Sequence, residues 1–204
     1  TFTDLALTTP DGLVTDKVLT TQREPAQGVL LGIDEVLKRA GMDPGAIDLV
    51  VHGTTLATNA LIERRGAPTA LITSEGLRDS VEMAQENRFA QYDISSNRPD
   101  PLVPRHLRLC VSERLNWRGE VLTALDEASV TALVPVLREH AIESIAIGLL
   151  HAYANPAHEQ RVAQLLREAL PDVYFSLGSD VCPEVREYER QSTTCANAYV
   201  QPVM

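Results

Sequence analysis

Three polar stretches hold the side chains with chemical potential. Thr1-Phe2-Thr3-Asp4 opens the chain with two hydroxyls and a carboxylate. Thr1 and Thr3 could donate to phosphate oxygens, and Asp4 could orient a loop or accept from a metal-bound water. Alternating threonines equally suit an ordinary hairpin strand. His52-Gly53-Thr54-Thr55 follows an apolar run and precedes a helix whose cap is Thr55 or Thr58. Ligands gather at strand ends of this kind, and helix N-termini attract anions. Gly53 would allow close backbone approach, Thr54 and Thr55 supply hydroxyls, and Asn59 an amide. The plainer account makes His52 a hydrogen-bonded strand-end histidine and Thr55 a routine cap.

The third stretch runs from Ser179 to Tyr199. If Pro183 opens a helix, Glu184, Glu187 and Tyr188 share one face while Arg186 and Arg190 align on another. Ser192, Thr193 and Thr194 are poor helix formers in mid-helix, so something beyond propensity keeps them. A helix lining a cleft is one account, with Glu184, Glu187, Arg190 and Asn197 facing substrate or a second lobe. A packed connecting helix with ordinary surface ion pairs is the other. Arg88 could clamp a carboxylate or phosphate, or simply be exposed. Ser74, before Gly76, reads as a cap. His106, His140, His151 and His158 lack metal-ligand spacing and read as surface or capping residues, so no metal site is assigned. No catalytic residue is singled out.

The elements that must position these groups follow from periodicity. Phe2 to Thr8 and Leu13 to Thr20 alternate around Pro10-Asp11-Gly12, a hairpin. Val29, Leu30, Ile33, Val36, Leu37 and Ala40 fall at helical spacing, and Gly41 ends the helix. Ile47 to Val51 reads as a buried strand, a helix spans about Ala57 to Arg65, and Thr69 to Thr73 is the parallel strand of that crossover. A helix from Leu77 to about Asn87 follows. Three prolines between Arg98 and Arg105 then interrupt the pattern. Leu109 to Asn116 and Val121 to Ala124 form a second hairpin, and residues 93–125 are taken as an insert outside the main sheet. A helix from Asp126 to His140, a strand Ser144 to Leu150, a helix Pro156 to Leu170 and a strand Val173 to Ser176 complete an α/β layered fold with a mixed sheet. The last segment, 181–204, reads as one helix.

The 204 residues can bury a core, and 44% hydrophobic with 23% charged residues is ordinary for a globular chain. Against 18 Lys and Arg stand 28 Asp and Glu, a net charge of −10 that argues against nucleic acid or an anionic membrane as partner. No apolar run is long enough to span a bilayer. Cys110, Cys182 and Cys195 are odd in number and widely spaced, which fits a reducing cytoplasm better than a disulfide framework or zinc site.

Taken together, Thr1-Phe2-Thr3-Asp4-Leu5, His52 to Glu63 and Ser179 to Tyr199 make the chain resemble the N-terminal region of the hydantoinase A/oxoprolinase family, ATP-dependent cyclic-amide hydrolases with ATP-dependent ketone carboxylase subunits as relatives. Members begin with Asp-x-Gly-Gly before Thr-Phe-Thr-Asp and continue well beyond this length, so the resemblance implies a fragment. It implies one lobe of the actin-like ATPase architecture. It also implies ATP with Mg²⁺, held through Thr1, Thr3, Asp4, His52, Gly53, Thr54, Thr55 and Asn59. The implied partners are a small cyclic amide, a subunit of hydantoinase B type and an oligomeric assembly. ATP would activate a carbonyl by phosphorylating its oxygen. A ketone carboxylase subunit and a non-catalytic assembly module remain the alternatives.

Overall fold

The computed structural model describes residues 2–21, 25–85, 90, 92–96 and 98–204, so Thr1 and Arg88 lie outside the described residues. The chain divides into two compact units, one ending at Gly53 and one starting at Thr54.

In the first unit, β1 (Phe2–Thr9) and β2 (Gly12–Leu19) pair antiparallel in the register Phe2↔Leu19 to Thr9↔Gly12. Gly12, at φ +132, makes the turn that a β-carbon would oppose. One face of the hairpin is half-buried and the other exposed, the period-2 signature of a sheet covered on one side. The cover is α1 (Pro25–Ala40), which buries Val36 and Leu37. Gly32 lets it sit close, since a β-carbon there would lie 2.6 Å from Leu5.

The expected strand at Ile47 to Val51 does not form. The segment is irregular after a short 3₁₀ turn at Pro44–Ala46, and Val51 is 86% exposed. A strand needs a neighbour to satisfy its backbone, and among the described residues none pairs here. The expected crossover therefore lacks its first strand.

The second unit is built on one purely parallel sheet in the order β4-β3-β7-β8, where β3 is Thr69–Ser74, β4 Arg108–Val111, β7 Ser144–Gly148 and β8 Tyr174–Leu177. This sheet is parallel throughout, and the antiparallel strands of the first unit form a two-stranded ribbon. Every residue of β3 and β7 is buried, as strands covered on both faces require. Before β3 comes α2 (Leu56–Ile62), and between β3 and β4 comes α3 (Ser80–Met83), much shorter than the expected helix to Asn87. Leu109 to Val111 belongs to the sheet and not to the second hairpin, which is only β5 (Arg114–Leu115) with β6 (Val121–Thr123). The expected helix from Asp126 splits into α4 (Glu127–Thr131) and α5 (Val134–Glu139) because Pro135 lacks an amide hydrogen. Then α6 (Ala157–Ala169) buries Val162, Ala163 and Leu166.

The end of the chain is α7 (Gly178–Val181) followed by α8 (Glu187–Val200). Pro183 does not open α8: Arg186, at φ 84, blocks its backward extension, so Glu184 precedes the helix and Cys182 lies on a different element from Cys195.

Candidate functional site

The strand order locates the site. From β3 the chain crosses to β4 on one side, and from β7 to β8 on the other, so the connections diverge between adjacent β3 and β7. Ligands in open parallel sheets bind outside the carboxyl ends of the strands at such a divergence. Here those ends are Thr73 and Ser74 of β3, and Gly148 with Leu149 and Leu150 after β7.

They are met by two side chains of α8. Gln191, fully buried, donates through Nε2 to Thr73 Oγ1 at 2.7 Å and to the Gly148 carbonyl at 2.8 Å, while its Oε1 accepts from the Ser80 hydroxyl. Gly148 must be glycine, because a β-carbon would stand 2.7 Å from Gln191 Cγ. Arg190, also fully buried, donates to the carbonyls of Glu184 at 2.7 Å and Leu149 at 3.1 Å, with Glu187 at 3.5 Å and the Tyr153 ring 5.5 Å away. Its Nε has no partner among the described residues.

A second buried chain closes the other side. Ser74 donates to Glu113 and accepts from the Leu150 amide at 2.9 Å, and the second oxygen of Glu113 lies 2.8 Å from His158 Nδ1. Glu159 accepts from the Leu149 amide at 2.9 Å and the Ser179 amide at 2.8 Å. Burial pushes its carboxyl above the ordinary range, against the pull of those two amides and of Arg190. Ser74 is thus a strand-end lock and not a helix cap, with its proton committed to a carboxylate and no path to a reactant. His158 is likewise mostly buried and paired, not a surface residue.

In the first unit, Thr3 shares a hydrogen bond with Thr20 at 2.9 Å, and Asp4 is exposed and paired with Lys17 at 3.1 Å. His52 and Gly53 are exposed, and nothing stands within 4 Å of a β-carbon at Gly53, so no close approach demands glycine there. In the second unit, Thr54 accepts from the Leu56 amide at 3.2 Å and Thr55 from Asn59 Nδ2 at 3.3 Å. Thr55 occupies the N-cap position of α2 without a capping bond. Glu184, Glu187 and Arg190 are brought together, with Glu184 contributing its carbonyl. Asn197, two turns on, bonds Ser176 at 2.9 Å instead. Arg190 and Glu187 are no surface pair, since the guanidinium is wholly buried. The three hydroxyls of Ser192, Thr193 and Thr194 all bond back to carbonyls of the preceding turn, which is how the helix accommodates them. Among the described residues, no group of three or more His, Cys, Asp or Glu could hold a metal ion.

Sequence reading missed Thr73, Glu113, Glu159 and Gln191. Glu159 and Gln191 sat in helical patterns as ordinary polar residues, and only the parallel pairing of β3 with β7 brings them to the strand ends.

A profile of the hydantoinase/oxoprolinase N-terminal region matches residues 1–170, most of the chain. The chain belongs to this family. Its relatives include the caprolactamase subunit alpha of Pseudomonas jessenii, 37% identical over 211 residues covering 100% of this chain and 30% of that protein. The crystal structure of the ATP-dependent caprolactamase from that organism superposes with a TM-score of 0.87 at 36% identity, over 100% of this chain and 30% of that one. A nucleotide-free acetone carboxylase, from a study of ATP-dependent acetone carboxylation, superposes with a TM-score of 0.88 at 27% identity, over 99% and 31%. The 5-oxoprolinase of Saccharomyces cerevisiae is 30% identical over 179 residues, 74% of this chain and 14% of that protein. The hydantoinase/oxoprolinase chain here thus spans under a third of the length of these relatives. None of its helices among the described residues is long and apolar enough to cross a membrane.

Proposed function

We propose that this chain is the N-terminal portion of an ATP-dependent cyclic-amide hydrolase, shaped as one lobe of an actin-like ATPase and working with a subunit of hydantoinase B type. The observation that carries the reading is the match along the whole chain to an ATP-dependent caprolactamase at 37% identity. A lactam nitrogen is a poor leaving group from an unactivated carbonyl, and ATP supplies the phosphoryl group that activates the oxygen. Toward ATP, the second unit offers the surface hydroxyls of Thr54 and Thr55, with Asn59 holding the latter in place. Thr1, Thr3, Asp4, His52 and Gly53 rest on the family resemblance alone. Mg²⁺ takes phosphate oxygens and water with only one or two carboxylates, so it needs no protein cluster of its own.

The test is ATP hydrolysis by the whole protein with its partner subunit, stimulated by a lactam or by a ketone. Lactam stimulation is expected, and stimulation by ketone with bicarbonate alone would make it a carboxylase. Thr54→Ala and Thr55→Ala are expected to cut turnover by on the order of a hundredfold. Their cost in stability should stay near 1 kcal/mol or below. Normal turnover with only a lowered melting temperature would return the loop to a structural role.

A further inference from the structure

Beside the strand-end lock, the second unit contains a cavity of about 300 Å³ that no hydrogen bond of the lock enters. Its floor is one face of α8, with Tyr188, Ser192 and Cys195 at i, i+4 and i+7. Its walls are Val81 and Ala84 around α3, and the proline-interrupted strap Arg98 to Val103. The volume is at the small end of ligand pockets, which run from about 300 to 1,000 Å³.

The walls are held by contacts that engage two of the three charged residues lining the cavity. Arg105 grips Asp79 with two bonds of 2.9 Å, holding that carboxyl below its ordinary range, and so ties the strap's far end to α3. Arg108 pairs with Glu82 at 2.7 Å, and Arg98 donates to the Met83 carbonyl. Of the three charged residues that line the cavity, Glu82 and Arg98 are therefore turned toward protein partners, while Asp100 is solvent-exposed and holds Arg64 through its carbonyl. Burial raises the Cys195 thiol to about 12, so it contributes a neutral, apolar surface. Two uncharged polar side chains remain, both on α8. The Tyr188 hydroxyl makes no hydrogen bond among the described residues. Ser192 gives its proton to the Glu189 carbonyl at 3.2 Å, which leaves its lone pairs as acceptors.

A donor and an acceptor with no partner among the described residues, one helical turn apart on α8, match a group presenting a carbonyl oxygen and an N–H. We propose that this cavity seats a compact, uncharged, mostly apolar cyclic amide, with Tyr188 donating to its carbonyl and Ser192 accepting from its N–H. This rests on the hydrolase reading and gives it a specificity: a lactam satisfies both groups, a ketone only one, and an anionic ring finds no unengaged cation among the described wall residues.

The experiment uses the whole protein with its partner subunit and the probes caprolactam, cyclohexanone and 5-oxoproline. Binding is read by saturation-transfer NMR and by KM for stimulated ATP hydrolysis, with the thermal midpoint as the folding check. Caprolactam is expected to bind about fivefold more tightly than cyclohexanone, the worth of one hydrogen bond. Tyr188→Phe, which keeps the ring, should weaken caprolactam by a similar factor. Ser192→Leu, which fills the space from a half-buried position, should abolish its binding. Caprolactam affinity unchanged in both variants, or 5-oxoproline bound more tightly than caprolactam, overturns the proposal. Lactam turnover with an unaltered KM in both variants overturns the cavity while leaving the hydrolase reading intact. Ketone turnover alone, with caprolactam still bound in a Tyr188-dependent way, overturns the hydrolase reading and supports the cavity.

Discussion

Glu159 is the residue whose behaviour the structure makes most specific. It holds the Leu149 and Ser179 amides in place from a fully buried position, and burial keeps its carboxyl above the ordinary 4.5. The native state therefore binds this proton more tightly than the unfolded chain does. By linkage, the associated stability is complete below pH 4.5 and is lost as pH rises through the native value. Glu159→Gln does not titrate and keeps the shape, so the stability of wild type minus that of the variant should fall over this window. Denaturant titrations of both proteins at pH 4, 5, 6 and 7 measure it. A difference that is flat, or that rises with pH, would mean that the two amides hold the carboxylate better than burial opposes it.

At the scale of elements, α8 is the piece on which the second unit depends. It lays Gln191 across the ends of β3 and β7, buries Arg190 under three carbonyls and packs Cys195 and Ala198 into the core. Its far end is fixed as closely, since the Ala67 amide bonds the Tyr199 carbonyl at 2.9 Å. Gly148→Ala should wedge α8 away from the sheet: the new methyl meets Gln191 Cγ at 2.7 Å, and moving Gln191 breaks its bonds to Thr73 and Gly148. Overpacking of this kind costs about 1–3 kcal/mol, read by chemical denaturation. Gln191→Ala in the same background should recover part of the loss, because it removes the atom in the way. A Gly148→Ala protein as stable as wild type would show that α8 yields without consequence.

For the whole molecule, the contrast between the units is one of coverage. The second has a continuous core of buried residues on both faces of its sheet. In the first, Phe2, Leu13, Leu19, Leu30, Leu31, Leu49, Val50 and Val51 are exposed within Thr1–Gly53, a denser set than the exposed apolar residues scattered over the larger second unit. Apolar surface of that extent marks an interaction site or an aggregation liability. Residues 1–204 expressed alone should bind a hydrophobic dye and scatter light with rising concentration, and residues 54–204 should bind less dye per residue. Equal dye binding per residue by the two would place the exposed patch elsewhere.

The strongly periodic elements were legible in the sequence. β1, β2, α1, β3, β7, α6 and β8 stand within a residue or two of their expected places, because alternation and 3.6-residue spacing report directly which face is covered. The family was legible too, in three short polar stretches. The unpaired Ile47 to Val51 and the recruitment of Arg108 to Val111 into the sheet were not, because a strand exists only through its neighbour, and pairing is decided at long range. The same holds for the strand-end lock. Glu113, Glu159 and Gln191 lie far apart along the chain and become buried partners only when parallel β3 and β7 bring their carboxyl ends side by side. Polar residue types told where chemistry could occur. Which of them are locked inside, and which still have a hydrogen bond to offer, was decided by tertiary packing, since burial sets whether a polar group is consumed by the fold or left for a ligand.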